Sequence, residues 1–209
     1  MIVFGNTLII IAVMKKRLRA ATRMFILSLA VSDLMTGIIV FPISAINEVL
    51  SGYWIFGDLM CITWITVDIW LCTTSIYNLV ATSIDRLIAI TKPLHHAALV
   101  TRGRAYMTIT AIWTGSFLLN SPNFLFANTY KSMGDQCVCI PIYTSRTYVI
   151  FSASFSFYVP MAIIVFIYTK IYIATRRAMK GATLYNMPST ITMSTLEKES
   201  SHGQYKIFR

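Results

Sequence analysis

Charged residues are scarce in this chain, and acidic residues are the scarcer kind. Only 12% of the 209 residues are charged, about half the share of a soluble domain, and 8 acidic residues against 18 basic ones give a net charge of +10. Cysteine, proline and glycine number only 4, 6 and 9, which argues against a disulfide-stapled miniprotein, a disordered chain and a collagen-like repeat. The mean hydropathy of +0.65 is too high for an ordinary cytosolic globular protein.

Four long apolar runs account for this composition. They cover Met24–Val49, Ile62–Ile84, Ala105–Ala127 and Thr147–Thr169, and their only charged residues are Asp33, Glu48 and Asp68. A bilayer core is crossed by roughly 20 apolar residues of helix, and a spanning helix satisfies its own backbone hydrogen bonds. We therefore predict an all-helical protein whose helices form a multi-pass transmembrane bundle.

A fifth apolar run, Met1–Met14, is too short to span a bilayer. A signal peptide would carry a basic segment before such a run and a small-residue cleavage site after it, and neither is present. We favour a first helix whose beginning lies outside this sequence. The chain then contributes five helices.

Basic residues are concentrated in alternate connectors between the runs. These residues are Lys15, Lys16, Arg17, Arg19 and Arg23 after the first run, Arg86, Lys92, Arg102 and Arg104 after the third, and Lys170, Arg176, Arg177 and Lys180 after the fifth. Cytoplasmic connectors carry such an excess, so we predict an extracellular amino end and a cytoplasmic carboxyl tail, with the basic residues facing anionic lipid of the bilayer. Nucleic acid is not an expected partner, because no contiguous basic patch with stacking aromatic residues is present.

The composition changes near residue 180. Residues 181–209 are rich in serine and threonine and lack apolar periodicity, which is typical of a flexible segment. We therefore divide the chain into a transmembrane bundle over residues 1–180 and a cytoplasmic tail over residues 181–209.

Two carboxylates lie within the predicted membrane helices. Asp33 is in the middle of the second helix and Asp68 is in the outer half of the third. An ionisable group at this depth costs about 2.5–3.5 kcal/mol and usually serves a function. For Asp33 the neighbouring hydroxyls of Ser28 and Ser32 offer a purely structural alternative. In a cleft of low dielectric constant, Asp68 would attract a protonated amine through a charge-assisted hydrogen bond.

Other side chains near Asp68 have two possible roles each. Ser152 and Ser156 share one face of the fifth helix, where they can bond a phenol or catechol, or bond back to helix carbonyls. Trp64 and Trp70 can contact a cation, but tryptophans near a membrane interface usually act as anchors, and we favour that role for both.

Together these residues resemble a rhodopsin-like G-protein-coupled receptor of the biogenic-amine group. The resemblance covers Gly5–Lys180 and includes Gly5-Asn6, Leu29-Ala30-Val31-Ser32-Asp33, Trp54-Ile55-Phe56-Gly57, Ser83-Ile84-Asp85-Arg86, Ile90-Thr91-Lys92-Pro93-Leu94, Trp113, Ser121-Pro122, Phe157, Pro160 and Tyr168. Asp68 marks the amine group. The segments Asp68–Ser75 and Ile173–Arg177 favour octopamine, tyramine, adrenergic or serotonin receptors.

The resemblance assigns roles to particular residues. It implies that Asp68 is the counter-ion of the amine, that Cys72 and Thr73 line the pocket floor, and that Ser152 and Ser156 meet ring hydroxyls.

It further implies a sodium site at Asp33 with Ser75, and no other cofactor. At the inner face, Arg86 would hold the inactive state with Asp85 and meet the G protein in the active state. Tyr168 would support the active arrangement and Leu94 would press into the G-protein alpha subunit.

The same resemblance implies a disulfide from Cys61 to the second outer loop, which offers two partners. The loop length before Pro160 favours Cys139, and the pattern Asp135-Gln136-Cys137 favours Cys137. We choose Cys139. Leu87 departs from the family pattern, which usually has tyrosine after the arginine.

Nothing after Lys180 resembles the sixth and seventh helices of such receptors. We therefore expect part of a plasma-membrane receptor that binds a protonated aromatic amine and activates a heterotrimeric G protein. The alternative is a truncated, non-signalling isoform that associates with full-length receptors and retains them. A transporter is disfavoured by the motif set. An enzyme is disfavoured because no paired acid–base cluster, metal-ligand spacing or phosphate loop is present, and His95 and His96 are expected to be solvated.

Overall fold

The computed structural model describes residues 1–16, 18–122, 127–133, 136–143 and 146–185. The helices are α1 (Ile2–Lys15), α2 (Ala20–Met35), α3 (Phe41–Val49), α4 (Gly57–Thr91), α5 (His96–Leu99), α6 (Arg102–Asn120), α7 (Arg146–Ala153) and α8 (Val159–Tyr185). The strands are β1 (Ala127–Met133) and β2 (Gln136–Tyr143). The chain divides into two units, Met1–Thr169 and Lys170–Arg209. Asp33, Asp68 and Asp85 all lie in the first unit.

Two π-helical turns join shorter helices into long ones. Thr36–Val40 connects α2 to α3, and Ser154–Tyr158 connects α7 to α8. Among the described residues, three helices are long and apolar enough to cross a membrane, namely Ala20–Val49, Gly57–Thr91 and Arg146–Met179, and the first and third contain these turns. The predicted multi-pass helical bundle is confirmed, whereas neither π-helical turn was predicted from the sequence.

The helix α6 is shorter than the apolar run that predicted it. It ends at Asn120, two residues before Pro122, whose ring nitrogen has no hydrogen to continue the helical hydrogen bonds. The prediction of helix up to Ala127 is wrong, since Ala127 begins β1. Hydropathy alone does not distinguish an apolar strand from the end of a helix.

A β-hairpin is the one part of the described structure that departs from the all-helical prediction. β1 and β2 pair antiparallel, with Tyr130 opposite Cys139 and Lys131 opposite Val138, and a bulge interrupts the register between Asn128 and Tyr130. A separate bridge joins Tyr53 to Val138. The hairpin therefore lies beside the turn that precedes α4.

Two apolar clusters hold the helices together at opposite ends of α4. One, at the Cys61 end, is built from Trp54, Cys61 and Ile65, with Cys139 packed against it. The other, at the Asp85 end, contains Ala21, Phe25, Ala81 and Ala105 from α2, α4 and α6. The two clusters thus mark a Cys61 end and an Asp85 end of the bundle. Between them α2 packs against α1, α4 and α6.

Most apolar side chains of the long helices point away from these clusters. Only 11% of the apolar window in Arg146–Met179 is buried, and large side chains such as Val165 and Phe166 are exposed. An apolar surface of this extent in water would cause association. A bilayer satisfies it, in agreement with the predicted membrane location.

One glycine sets the distance between α1 and the first π-helical turn. A Cβ atom on Gly37 would lie 3.0 Å from Cγ2 of Val3 and 3.2 Å from Cγ2 of Ile2. A side chain at this position would require Val3 and Ile2 to shift, so Gly37 favours the close approach of α1 to the middle of the Ala20–Val49 helix.

Candidate functional site

Asp68 lies on α4, one helical turn before Cys72, and is half-buried. Its Oδ1 accepts a hydrogen bond from the Cys72 thiol at 3.5 Å. No residue in the described part of the chain forms a salt bridge with Asp68. A carboxylate in apolar surroundings without a cation partner is unfavourable by itself, so Asp68 is suited to bind a cation from outside the chain.

A small cavity, named the cavity beside Asp68 because its one lining residue from α4 is the next residue, Ile69, lies between α4 and α7. It has a volume of about 170 Å³ and is lined by Ile69 of α4 and by Tyr148, Val149, Ser152, Ala153 and Ser156 of α7 and the second π-helical turn. The structure thus brings Ser152 and Ser156 to the helix that carries Asp68. Ser154 instead donates to the carbonyl of Ile150 at 2.6 Å and does not line this cavity.

Hydrogen bonds link Ser156 to Asn120 of α6 and, through Asn120, to Thr73 of α4. Asn120 Nδ2 donates to Thr73 Oγ1 at 3.2 Å and to the Ser116 carbonyl at 2.8 Å, and Asn120 Oδ1 accepts from Ser156 Oγ at 3.5 Å. Thr73 is buried, and its hydroxyl donates to the Ile69 carbonyl at 2.7 Å. Thr73 therefore lies between α4 and α6 and positions Asn120, instead of lining the cavity beside Asp68.

The tryptophans near Asp68 are engaged with each other. Trp64 stacks on Trp54 with ring centroids 5.2 Å apart. Trp70 contacts Trp113 edge-on at 5.8 Å, and its Nε1 donates to the Trp113 carbonyl at 3.2 Å. These contacts agree with a packing role for Trp64 and Trp70.

A disulfide closes the Cys61 end above Asp68. Cys61 of α4 is bonded to Cys139 of β2, with a Cα–Cα distance of 5.8 Å. The side chain of Cys137, the alternative partner, lies outside the described residues. Because Trp54 packs against Cys61 and donates from Nε1 to the Gly57 carbonyl at 2.8 Å, the start of α4, its preceding turn and the hairpin form one unit.

A second polar site lies further along α4, where Ser75 meets Asp33 of α2. Ser75 Oγ lies 2.7 Å from Asp33 Oδ1 and 2.8 Å from Ser32 Oγ. Ser28, by contrast, donates to Asn78 Oδ1 at 3.0 Å and accepts from Trp113 Nε1 at 3.0 Å. Of the two hydroxyls considered for Asp33 on sequence grounds, only that of Ser32 lies near its site.

A third polar site lies at the Asp85 end. Asp85 is buried and accepts from Thr22 Oγ1 at 2.9 Å, and Nε2 of His96 lies 2.8 Å from its other oxygen. Arg19 Nη1 contacts Nδ1 of the same imidazole. Arginine can only donate, so Nδ1 accepts and Nε2 carries the hydrogen that is donated to Asp85.

The expectation that His96 is solvated is wrong, since its side chain is only 3% exposed. The physical reason is α5, a single helical turn that directs the imidazole toward α4. The structure also pairs Asp85 with His96 and not with Arg86, which is exposed. In this structure His96 is therefore the partner of Asp85, the role that the sequence resemblance gave to Arg86.

Comparison with known proteins identifies the family. The family model described as 7 transmembrane receptor (rhodopsin family) matches residues 5–199. The chain belongs to this family. Its members are receptors and not enzymes, and the receptor is a membrane protein with a helical transmembrane bundle.

Similar proteins include receptors named for amines. The receptor is 37% identical to an octopamine receptor of Heliothis virescens, 37% to an octopamine receptor of Bombyx mori and 40% to the alpha-1A adrenergic receptor of Homo sapiens. These matches cover 97%, 96% and 86% of this chain but 43%, 42% and 38% of those proteins. The chain therefore spans about two fifths of the length of these relatives.

Three further residues of the receptor singled out by sequence have exposed side chains. Leu94 is 91% exposed in the turn after α4, and Arg86 and Tyr168 are also exposed. Among the described residues, none of the three forms a hydrogen bond or salt bridge with Asp33 or Asp85. Each is therefore available to a partner.

Sequence reasoning missed several polar residues of the receptor. Asn78, Asn120 and Thr22 take part in the hydrogen bonds described above, as does Arg19, which the sequence marked only as a connector base. The signal that marks the two asparagines is an amide within an apolar run, since a group in that position requires a partner.

Proposed function

We propose that this protein is part of a receptor for a protonated aromatic amine, and that the receptor activates a heterotrimeric G protein. The carrying observation is Asp68, a half-buried carboxylate without a cation partner among the described residues, which directly precedes Ile69 in a cavity also lined by Ser152 and Ser156. The names of the octopamine and adrenergic relatives support an amine.

In this proposal the ammonium group binds Asp68, and the aromatic ring extends toward α7. A charge-assisted hydrogen bond gives the amine both affinity and direction. Ser152 and Ser156 bond hydroxyls of the ring. Cys72 lies close to the ammonium group, because its thiol donates to Asp68. Thr73 acts indirectly, because it orients the amide that bonds Ser156.

The polar sites along α4 provide a path for signalling. The amine shifts the receptor only if it binds the active state better than the inactive one. Asp33 and Ser75 lie between the amine site and Asp85, and their carboxylate and hydroxyl oxygens are the ligand type that an alkali cation prefers. We propose that Na⁺ binds there and favours one of the two states.

The exposed side chains of Arg86, Leu94 and Tyr168 would form the surface for the G protein. This assignment requires the Asp85 end to face the cytoplasm of the plasma membrane and the Cys61 end to face outward. The basic connectors support that orientation by the positive-inside rule, and a disulfide at the Cys61 end is compatible with an oxidising exterior.

A second candidate function is association with other receptor copies. The largely exposed apolar surface of Arg146–Met179 supports it, and a non-signalling product that retains full-length receptors would use such a surface. The test measures the amount of a full-length receptor at the cell surface with and without co-expression of this chain. Retention predicts that this amount falls on co-expression, and an unchanged amount would contradict it.

The amine proposal is tested with Asp68→Asn in a full-length receptor that contains this chain. Removing one charge of a desolvated ion pair costs about 2–5 kcal/mol, so amine affinity should fall by roughly 30-fold or more. The matched control is Asp58→Asn, an exposed carboxylate in the first turn of the same helix. Equal amine affinities for the Asp68 variant and the unmodified receptor would overturn the proposal.

A further inference from the structure

The hydrogen bonds behind Ser156 have a fixed direction, which is set by two backbone carbonyls. The Thr73 hydroxyl donates to the Ile69 carbonyl at 2.7 Å, so its oxygen is left to accept from Asn120 Nδ2 at 3.2 Å. Asn120 Nδ2 also donates to the Ser116 carbonyl at 2.8 Å. Because a carbonyl can only accept, each bond in this chain has one possible donor.

The Ser116 carbonyl also decides which end of the Asn120 amide faces Ser156. If the amide oxygen and nitrogen were exchanged, two oxygens would lie 2.8 Å apart with no hydrogen between them. Asn120 Oδ1 therefore faces Ser156 Oγ, at a distance of 3.5 Å. This distance is long for such a bond, but its direction follows from chemistry, since an amide oxygen accepts and never donates.

Burial keeps the Ser156 hydrogen on Asn120. The Asn120 side chain is fully buried, and Ser156 is the partner of its Oδ1 among the described residues. If Ser156 turned its hydrogen toward the cavity beside Asp68, Oδ1 would be left buried and unsatisfied, which costs more than an ordinary hydrogen bond gains. A serine hydroxyl has one hydrogen and two lone pairs. Ser156 therefore presents only lone pairs to the cavity that it lines.

We infer that Asn120 makes Ser156 an acceptor toward the ligand, so that the amine must carry a ring group that donates a hydrogen bond. The inference rests on the proposed function, which places the ring of an amine in the cavity lined by Ser156. Asn120 is a positioning residue in this scheme, because it acts through Ser156 and does not line the cavity.

The inference separates ring substituents that contain the same element. A phenol O–H or an aromatic N–H donates to Ser156. A methoxy group has an oxygen but no hydrogen to donate, so its oxygen would face the lone pairs of Ser156. A site built to hydrogen-bond one group discriminates strongly against an analogue that leaves the bond unmade.

The restriction applies to one position of the ring. Among the described residues, the side chain of Asn120 bonds Thr73, Ser116 and Ser156. Ser152 lines the same cavity without a bond to Asn120, so Asn120 does not restrict a substituent that faces Ser152.

The test uses phenylethylamines that differ in a single ring substituent, which is hydroxyl, methoxy or ethyl at the meta or the para position. Competition binding to the full-length receptor that contains this chain gives their affinities. The position at which Ser156→Ala lowers the affinity of the hydroxyl compound is the one that faces Ser156, and a loss at neither position would overturn the inference. Methoxy and ethyl groups are similar in size, so their comparison isolates the effect of the oxygen.

The unmodified receptor gives the first result. At the position that faces Ser156, the hydroxyl compound should bind roughly five-fold better than the methoxy compound, the equivalent of one hydrogen bond. The methoxy compound should bind no better than the ethyl compound. A methoxy compound that binds better than the ethyl compound would show that Ser156 donates to the ring, and would overturn the inference.

Asn120→Leu tests the positioning residue. Leucine keeps the branched shape of asparagine but offers no acceptor, so the Ser156 hydrogen becomes available to the ligand. The methoxy compound should then bind about three-fold better than the ethyl compound, and Ser156→Ala in the same chain should abolish that gain. A general loss of structure would lower both affinities and leave their ratio unchanged. An unchanged ratio in Asn120→Leu would overturn the role of Asn120.

Thr73→Val repeats the test with a change further from the ligand. It removes the acceptor of Asn120 Nδ2 and keeps the shape of the side chain, so the amide turns more easily and the ratio should rise by a smaller factor. Thr114→Val is the matched control, because the Thr114 hydroxyl of α6 donates to the Thr110 carbonyl of its own helix. Equal ratios in the Thr73 and Thr114 variants would contradict the proposed chain.

Failure of this inference is distinguishable from failure of the proposed function. All the compounds carry the same ammonium group, so all should lose affinity together in Asp68→Asn. Compounds that depend on Asp68 but prefer methoxy to ethyl in the unmodified receptor would overturn the inference alone. Affinities that do not change in Asp68→Asn would overturn the proposed function and the inference with it.

Discussion

Nε2 of His96 lies 2.8 Å from Oδ1 of Asp85, and both side chains are buried. The other imidazole nitrogen accepts from Arg19, which belongs to the connector between α1 and α2. One neutral histidine therefore joins two connectors to the end of α4. A side chain that both donates and accepts is needed for this arrangement, since Arg19 only donates and ionised Asp85 only accepts.

His96→Ala should destabilise the protein. It leaves a buried carboxylate with Thr22 as its remaining partner and removes the acceptor for Arg19, so the free energy of unfolding should fall by about 2–3 kcal/mol. Thermal unfolding in nanodiscs measures the effect. His96→Gln keeps one donor and one acceptor and should recover most of the loss, and His95→Ala, at an exposed site, should have little effect. An equal loss for the His95 and His96 variants would contradict the interpretation.

Removing the disulfide should loosen the Cys61 end. Cys61 and Cys139 are 78 residues apart in sequence, and loss of a native bridge typically costs about 2–5 kcal/mol. Cys61→Ser and Cys139→Ser should each lower the unfolding temperature, and the double variant should add little to either one. Cys137→Ser should leave the bridge intact in non-reducing peptide maps. A stable Cys139→Ser variant beside an unstable Cys137→Ser variant would assign the bridge to Cys137.

Ser156→Ala should change which amines are preferred. An amine with ring hydroxyls should lose roughly 5- to 10-fold in affinity, the equivalent of one hydrogen bond of about 1–1.5 kcal/mol, whereas the same amine without ring hydroxyls should bind unchanged. Competition binding with the two amines measures the difference. Ser154→Ala is the control, because Ser154 bonds back to its own helix. An equal loss for both amines would indicate a structural role for Ser156.

Gly37→Leu should displace α1. The added Cβ would lie 3.0 Å from Val3 Cγ2, and overpacking of this kind costs about 1–3 kcal/mol. Gly5→Leu places the same side chain on α1 where no atom lies within 4 Å, so it should be tolerated. Unfolding temperatures of the two variants provide the comparison, and a Gly37→Leu variant as stable as Gly5→Leu would show that α1 is not held by this contact.

The features that sequence predicts here are those that depend on neighbouring residues along the chain. The helices of Ala20–Val49 and Gly57–Thr91 follow from local hydropathy, and Asp68 stands out because a carboxylate interrupts an apolar run. The pairing of Ser75 with Asp33 agrees with the family resemblance. These predictions require no knowledge of how the helices rotate against each other.

The features that sequence misses depend on contacts between distant segments. Arg19 and His96 are 77 residues apart, and Asn120 and Thr73 are 47 residues apart. Whether such side chains meet is decided by helix rotation and by short elements such as α5. The hairpin was missed for a similar reason, because its strands are stabilised by pairing with each other and with Tyr53.

The amide of Asn120 has a consequence for how ligand preference can change. Asn120 belongs to α6 and does not line the cavity beside Asp68, but its oxygen accepts the hydrogen bond of Ser156. A substitution at Asn120, or at Thr73 that steadies it, would let the Ser156 hydroxyl rotate without altering any atom of the proposed amine site. Under the proposed function, selectivity among hydroxylated amines would then diverge between related receptors whose binding surfaces are identical.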